Sequence, residues 1–196
     1  MDQSIVHALN SFLLHHDGVE DPMTAYMAIS QALFAGLLVV LVAIVPLLTH
    51  RLELARAGVA AGVSTAGALL IGQVLSHAVD RSRPFVSDPG SVHLFSPHIA
   101  DASFPSDHAT AAFAIATALF LRDRRIGAPV LVAAALLAAG RVAVGVHFPT
   151  DVLAGAALGA SVAWVVHAEP MRRRLDALVD RVAAHLPVRF DGLASS

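Results

Sequence analysis

Five apolar segments, separated by short charged or proline-containing connections, constrain this chain more than any other feature of its sequence. They cover residues 24–48, 57–79, 107–121, 127–146 and 151–167. The longest of them reach the roughly 20 residues that an α-helix needs to cross the hydrocarbon core of a bilayer. A backbone in lipid must satisfy its hydrogen bonds internally, as a helix does. The pattern therefore predicts an all-α fold, a polytopic helical membrane bundle with about five transmembrane helices.

Few charged side chains interrupt these segments, which agrees with burial in lipid. Hydrophobic residues make up 56% of the 196-residue chain and charged residues 14%, a balance that is unusual for a soluble globular domain. The chain contains no cysteine, which excludes a disulfide framework and a cysteine-based metal site. A net charge of −2 argues against a nucleic-acid partner. We therefore expect membrane lipids around the protein, and its oligomeric state stays open.

The two ends of the chain differ in pattern from its middle. Residues 1–22 carry apolar side chains at helical spacing, followed by the turn-forming pairs Asp17-Gly18 and Asp21-Pro22. They predict a short amphipathic helix that lies in the membrane interface and ends before the first span. Residues 23–168 contain the five segments and form the membrane domain. Residues 169–196 predict an amphipathic, arginine-rich cytoplasmic tail.

The arginines are distributed unevenly between the two sides of such a bundle. If the spans alternate in direction, ten arginines fall on one side, and only Arg81, Arg83 and Arg141 fall toward the other. The positive-inside rule places the larger group in the cytoplasm and the smaller group on the outer face. An arginine that defies this rule needs an anionic partner, so the three mark a functional site. The ten are Arg51, Arg56, Arg122, Arg124, Arg125, Arg172, Arg173, Arg174, Arg181 and Arg189.

The start of the third span is a candidate anion site on the same outer face. Ser103 and Ser106 are both plausible N-caps for a helix that runs from Asp107. The free N–H groups and the positive dipole end of a helix attract anions, phosphate above all. His108, in the first turn, is placed to exchange a proton with such an anion. The simpler interpretation is that Ser106 only caps the helix and His108 lies at the interface.

Alternation of the spans brings a set of polar side chains from three segments to this one surface. Arginine clamps phosphate oxygens and stabilises their charge in a transition state. One histidine can attack phosphorus once a carboxylate fixes its tautomer, and another can protonate the departing oxygen. Structural pairing of Arg141 with Asp151 or Asp107 is the alternative. The set consists of Arg81, Arg83, Ser106, His108, Arg141, His147 and Asp151.

Histidines outside this set do not suggest a metal centre. His93 and His98 are interpreted as loop histidines in the long polar connection of residues 80–105. No tight spacing of His, Asp or Glu ligands supports a zinc site.

Three motifs in this order carry a resemblance to a known family. Arg83-Pro84, the stretch Pro105-Ser106-Asp107-His108, and Arg141 followed by His147 and Asp151 resemble the three-part signature of type 2 phosphatidic acid phosphatases. Residues 100–110 and 144–153 look most like the bacitracin-resistance branch, whose members are undecaprenyl-diphosphate phosphatases. The resemblance implies that residues 23–168 form a phosphatase domain of this type.

The resemblance also implies a role for each matching residue. His147 would be the nucleophile that forms a phosphohistidine, Asp151 would orient it, and His108 would be the general acid. No metal or other cofactor would be needed. The phosphate would be held by Arg83, Ser106 and Arg141, with Arg81 and Asp107 beside them.

The chain departs from the family signature at two positions. The family usually has lysine seven residues before the arginine of the first motif, and here that position is Ser76. Arg81 or, less favourably, His77 would supply the missing charge. The third motif usually has serine before its arginine, and here that residue is Gly140.

The implied reaction is hydrolysis of the terminal phosphate of undecaprenyl, or another polyprenyl, diphosphate. It would yield the lipid monophosphate carrier at the outer face of the plasma membrane. An alternative within the same chemistry is another lipid phosphate, such as phosphatidate, phosphatidylglycerol phosphate or a polyprenyl-phosphoryl sugar phosphate. An alternative of another class is a lipid headgroup transporter, but the span interiors hold little polar beyond Gln73.

Overall fold

A computed structural model describes residues 1–95, 99–187 and 190–191 of the chain. The predicted loop histidine His98 and the predicted cytoplasmic Arg189 lie outside the described residues. The described residues are mostly helical and include no β-strand. The helices are α1 Asp2–Leu14, α2 Asp17–Val39, α3 Val45–Thr49, α4 Leu52–Val79, α5 Pro84–Ser87, α6 Asp107–Arg122, α7 Arg124–Ala143, α8 Pro149–His167 and α9 Glu169–Ala184, with a π-helical turn Val40–Ile44 joining α2 to α3.

Within the described part of the chain, four helical segments are long and apolar enough to cross a membrane. They are Asp17–Val39, Leu52–Ser87, Arg124–Ala143 and Pro149–His167, the second of which includes α4 and α5. The predicted third span corresponds to α6, which is only 16 residues long. The prediction of an all-α polytopic membrane bundle is confirmed.

Helix α6 lies at the centre of the bundle, against α4, α7 and α8. Its buried positions are mostly alanine, with Ile115 and Leu119 among them. Small side chains let neighbouring helices approach closely, and close packing drives helix association in lipid. At the closest crossing, Gly159 of α8 faces the backbone of α6 at Thr110 and Ala114. This crossing fixes the N-terminal ends of α6 and α8 beside one another.

We expect Gly159→Ala to destabilise the protein because of this close approach. A Cβ there would overlap the carbonyl oxygen of Thr110 and lie 2.8 Å from the backbone nitrogen of Ala114. Forcing two backbones apart in a packed core costs about 1–3 kcal/mol. Thermal unfolding in detergent should show a lower midpoint. Gly62→Ala is the control, because its nearest atom, on Leu38, is 4.0 Å from the added Cβ; an equal loss in both variants would contradict the prediction.

The N-terminal helix α1 is packed on the bundle through one face. Ile5, Leu9 and Phe12 of its predicted apolar stripe stay exposed, so its location in the membrane interface remains a prediction. Val6 and Leu13 are fully buried. The buried side chain of Asn10 donates to the carbonyl oxygens of His93 and Ala143 at 2.9 and 2.8 Å, and its oxygen accepts from the His93 N–H. Because these contacts satisfy a buried amide, α1 is a packed part of the bundle end.

Helix α2 begins earlier than predicted. It starts at Asp17 and continues through Pro22, which was expected to break the pattern. Proline removes one N–H and displaces the carbonyl four residues before it. Here both Pro22 and Gly18 are exposed, so that carbonyl stays accessible to solvent and the helix continues.

Helix α9 packs on the end of the bundle where α4 begins and α6 ends, opposite to the end that α1 contacts. Its Asp180 accepts three hydrogen bonds from the Arg56 guanidinium at 2.9, 2.7 and 2.8 Å, and Asp176 pairs with Arg122. Val179 and Ala183 are buried in a small cluster with residues of α4. The tail was predicted as an amphipathic helix, and its polar face joins it to the ends of α4 and α6.

Candidate active site

A cavity of about 780 Å³ opens at the end of the bundle where α4 ends and α6 begins. Three cavity-lining residues, Gln73, Ser76 and His77, come from the last turns of α4, and Asp107 and His108 come from the first turn of α6. The remaining lining residues are Asp80, Arg83, Ile99, Asp101, Ala102, Pro105 and His147.

His147 lies in the connection between α7 and α8 and is almost fully buried. Its Nδ1 atom is 2.9 Å from the carbonyl oxygen of Ser103. Because a carbonyl only accepts hydrogen bonds, Nδ1 carries the proton and Nε2 keeps its lone pair. Nε2 is 3.2 Å from Nη1 of Arg83, which donates to it. The atom with nucleophilic capacity therefore faces the guanidinium at the cavity wall.

Asp151 contacts His147 differently from the expectation. Its Oδ2 atom is 3.8 Å from Nδ1, which is an electrostatic contact rather than a hydrogen bond. The same oxygen accepts the N–H of Phe148 at 2.8 Å, and Oδ1 accepts from Arg81 at 2.9 Å. The carbonyl of Ser103 therefore fixes the tautomer, and the Asp151 carboxylate adds negative charge beside the ring.

The role of the Ser103 carbonyl has no signature in the sequence, because every residue carries such a group. The sequence suggested only one role for Ser103, as a helix cap. In the structure its N–H donates to the carbonyl of Arg81 at 2.8 Å. Its hydroxyl donates to the carbonyl of Ser82 at 3.3 Å. These bonds join the two loops that flank His147.

The surroundings of His147 keep its imidazole neutral. Burial lowers the pKa of His147 to about 4, and the positive charges of Arg141 and Arg83 act in the same direction, while Asp151 opposes them. At neutral pH the ring is uncharged, and Nε2 carries the lone pair that attack on an electrophile requires.

Arg83 is buried and makes directed contacts through every nitrogen of its guanidinium. Nε donates to Oδ1 of Asp101 at 2.8 Å, and Nη1 donates to the carbonyl of Val146 at 2.9 Å in addition to His147. Nη2 lies 3.4 Å from the carbonyl of Ala102. These contacts fix the guanidinium with its Nη1 atom beside Nε2 of His147.

Arg141, in the last turn of α7, is buried behind this wall. Its carbonyl accepts the N–H groups of Val146 and His147 at 3.3 Å each, so the backbone turns sharply after it. Gly145 supports that turn with a φ of +82°. A Cβ there would be strained and would lie 2.6 Å from Val92. The turn presents His147 to the cavity.

Ser106 is the cap that joins α6 to α8. Its hydroxyl accepts the N–H of Ala109 at 3.5 Å, and its own N–H donates to the carbonyl of Asp151 at 3.1 Å. This assigns the cap to Ser106 and leaves Ser103 in the preceding loop. On the next residue, the Asp107 carboxylate accepts from the Gln73 amide at 3.1 Å.

The structure brings all eight predicted site residues to one end of the bundle, in two layers. Arg83, Asp107, His108 and His147 line the cavity. The second layer is not in the cavity lining; it consists of Arg81, Ser106, Arg141 and Asp151. The position of the missing family lysine, Ser76, does line the cavity together with His77, so His77 rather than Arg81 lies where the lost charge would act.

The predicted loop histidine His93 does not line the cavity. His93 lies in the loop after α5 and packs its ring against Phe95. Within residues 1–95, 99–187 and 190–191, no group of three or more His, Asp or Glu side chains is arranged to hold a metal ion.

Three known proteins illustrate what this chain is similar to. It is 35% identical over 153 residues to "Undecaprenyl-diphosphatase BcrC" of Bacillus subtilis, covering 78% of this chain and 76% of that protein. It is 32% identical over 165 residues to "Decaprenylphosphoryl-5-phosphoribose phosphatase" of Mycobacterium tuberculosis, covering 83% and 87%. Its fold matches the crystal structure of a PAP2-type phosphatidylglycerolphosphate phosphatase of Bacillus subtilis with a TM-score of 0.66 and 23% identity, covering 88% and 85%.

The family assignment follows from the extent of these matches. The family model for the PAP2 superfamily matches residues 57–174, which include every predicted site residue. With more than half of the chain matched and a relative 35% identical over three quarters of its own length, this chain belongs to the PAP2 superfamily.

Proposed function

We propose that this protein hydrolyses the terminal phosphate of a polyprenyl diphosphate, such as undecaprenyl diphosphate, and releases the lipid monophosphate carrier and inorganic phosphate. The observation that carries the proposal is the state of His147. Its Nδ1 donates to the Ser103 carbonyl, and its Nε2 faces Arg83 at the wall of the cavity. A neutral imidazole held beside a guanidinium suits attack on a bound phosphate.

The reaction proceeds in two steps with His147 as the nucleophile. Nε2 bonds to the terminal phosphorus, and the bond from phosphorus to the bridging oxygen breaks. His108 donates a proton to that oxygen as the lipid monophosphate leaves. Water, deprotonated by His108, then attacks the phosphohistidine and releases phosphate and free His147. The Asp151 carboxylate stabilises the positive charge that the ring carries while it is phosphorylated.

The phosphate oxygens are held by Arg83 and by the N-terminal end of α6. Arg83 lines the cavity and neutralises the oxygens as charge shifts during transfer, and Arg141, buried behind it, adds positive charge without lining the cavity. Ser106 caps α6 and Asp107 begins it, and the positive dipole end of the helix adds to this field. No cofactor enters this scheme.

Release of inorganic phosphate from a panel of lipids tests the proposal. The purified protein in detergent, with a chelator present, should cleave polyprenyl diphosphate with the highest kcat/KM. The panel also contains phosphatidate, phosphatidylglycerol phosphate and decaprenylphosphoryl phosphoribose. Absence of phosphate release from every lipid would refute phosphatase activity.

A second candidate is the same chemistry on another lipid phosphate. The similarity to the mycobacterial phosphoribose phosphatase favours it, because that match covers 83% of this chain. In the same panel, a higher kcat/KM on a monophosphate ester than on the diphosphate would select this candidate. Movement of intact lipid phosphate across vesicles without phosphate release would favour the headgroup transporter.

We further propose that the site faces the outside of the plasma membrane. The arginines predicted as cytoplasmic that fall within the described residues lie in elements at the opposite end from the cavity, as the ion pairs of Arg56 and Arg122 with α9 illustrate. The positive-inside rule then leaves the cavity end outside.

Cysteine labelling tests this orientation. The chain has no cysteine of its own, so Ser91→Cys introduces a single thiol in the exposed loop after α5. It should react with a membrane-impermeant maleimide in intact cells. Ala177→Cys, exposed on α9, is the control and should react only after lysis. The reverse pattern would place the site in the cytoplasm.

Substitution of Asp101 should strengthen substrate binding. Its carboxylate, 61% exposed, pairs with Nε of Arg83 at 2.8 Å and lines the cavity. A phosphate that binds Arg83 must compete with this carboxylate and is repelled by its charge. Asp101→Asn should therefore lower KM for lipid phosphate several-fold. Steady-state kinetics measure this, with Asp88→Asn, in the loop outside the cavity lining, as the control; a raised KM in Asp101→Asn would contradict the prediction.

A further inference from the structure

Arg81 is held by groups from two parts of the chain, Asp2 and residues 148–151, and none of these groups lines the cavity. Its Nη1 donates to Oδ1 of Asp151 at 2.9 Å and to the hydroxyl of Thr150 at 2.6 Å. Its Nη2 donates to Oδ2 of Asp2, in the first turn of α1, at 2.9 Å. The guanidinium carbon lies 3.9 Å from the centroid of the Phe148 ring. These contacts engage both terminal nitrogens and one face of the guanidinium, which suits a structural cation better than a substrate ligand.

The carboxylate of Asp151 depends on this cation. Its side chain is completely buried, and a buried carboxylate is costly unless it is paired and hydrogen-bonded. Arg81 supplies the charge on Oδ1, and the Phe148 N–H satisfies Oδ2. Oδ2 then lies 3.8 Å from Nδ1 of His147. Rotation of the carboxylate would change both the distance and the field at the imidazole.

Helix α1 brings Asp2 to Arg81 and is firmly docked there. Val6 is fully buried in a cluster with Val92, Val142 and Phe148. One turn later, Asn10 is hydrogen-bonded to the loop after α5 and to the end of α7. Because this docking does not involve Asp2, the Asp2 charge can be removed while the helix stays in place.

We propose that α1 is part of the catalytic apparatus: Asp2 holds Arg81 against Asp151, and both act as positioning residues for the nucleophile His147. One chain of contacts runs from Asp2 to Arg81 at 2.9 Å, from Arg81 to Asp151 at 2.9 Å, and from Asp151 to His147 at 3.8 Å. Negative and positive side chains alternate along it up to the imidazole. The Thr150 hydroxyl braces it by donating to the Asp2 carboxylate. This role differs from phosphate binding by Arg81. It deepens the proposed function, since it rests on His147 acting as the nucleophile.

Asp2→Asn tests the chain, because it keeps the size of the side chain and removes its charge. We expect kcat on the preferred lipid to fall roughly 10-fold, the scale of a small misplacement of a catalytic group. KM and the thermal midpoint should stay within about twofold and a few degrees of wild type. Asp2→Glu, which keeps the carboxylate, should restore part of kcat. Gln3→Ala is the matched control on α1, because Gln3 donates to Asp88 rather than to Arg81.

A double-mutant cycle separates positioning from general damage. If Asp2 acts through Asp151, adding Asp2→Asn to Asp151→Asn should cause no further loss of kcat. Additive losses, or wild-type kcat in Asp2→Asn, would overturn the proposal, as would an equal loss in Gln3→Ala.

A measurement made without any lipid substrate tests this proposal separately from the proposed function. Diethyl pyrocarbonate reacts with the neutral imidazole, and mass spectrometry of the peptide containing His147 gives the rate. The rate should fall several-fold in Asp2→Asn and in Asp151→Asn, without a further fall in the double variant, and stay unchanged in Gln3→Ala. This result, together with no phosphate release from any lipid, would refute the function and uphold the chain. Unchanged labelling in Asp2→Asn would refute the chain whatever the substrate.

Discussion

His147→Ala should abolish both turnover and the phosphoenzyme. Loss of a covalent nucleophile costs on the order of 10⁴-fold or more in kcat. In the structure the imidazole is buried and its Nδ1 is bonded to a backbone carbonyl. Alanine removes the hydrogen-bond donor to that carbonyl and supplies no nucleophile at the position of Nε2. Rapid-quench labelling with terminally ³²P-labelled diphosphate should show acid-labile, base-stable phosphoprotein in the wild type only.

His108→Ala is the matched control for this experiment. It removes another cavity histidine, in the first turn of α6 beside Asp107, while leaving His147 intact. A diphosphate has a good leaving group, so its first step depends less on a proton donor than that of a simple ester. His108→Ala should therefore still accumulate phosphoprotein, with slow release of phosphate. Phosphoprotein at the wild-type level in His147→Ala would overturn the assignment of the nucleophile.

The sequence predicted the fold class because lipid imposes a simple pattern on it. Long apolar segments leave the backbone few alternatives to a helix, and the structure has helices where the five segments lie. The interfacial location of α1 stays a prediction. Val6 and Asn10 dock the helix on the loop after α5 and the end of α7, whereas Ile5, Leu9 and Phe12 of its apolar stripe stay exposed. Periodicity shows that a face is apolar and does not show what covers it.

Membership of the site could likewise be predicted, whereas its layering could not. Alternation of the spans was enough to bring Arg83, His108 and His147 to one surface. It could not show that Arg81 points away from the cavity, because the direction of a side chain after a helix ends depends on the turn. Here the residue that follows α4, Asp80, has a φ of 43°, in the left-handed region. The Ser103 carbonyl was missed because hydrogen bonds of the backbone leave no trace in residue identity.

Arg83→Lys should lose most activity although it keeps the positive charge. We expect kcat/KM to fall about 10²–10³-fold, the scale seen when one preorganised donor to a transition state is removed. The guanidinium makes directed contacts to Asp101, the Val146 carbonyl and His147 at once. An ammonium group is a point charge on a flexible stem and cannot reproduce that geometry. Phosphate release from the preferred lipid measures the loss.

Arg122→Lys is the matched control for Arg83→Lys. It makes the same change at the opposite end of the bundle, where Arg122 pairs with Asp176 of α9. Both variants lose a guanidinium that is buried to a similar degree, so both should lower the thermal midpoint by a similar small amount. Only Arg83→Lys should lose kcat/KM, because of the two arginines only Arg83 contacts Nε2 of His147, the atom that we propose attacks phosphorus. Near-wild-type turnover in Arg83→Lys would remove Arg83 from the phosphate site and leave the position of His147 as its remaining function.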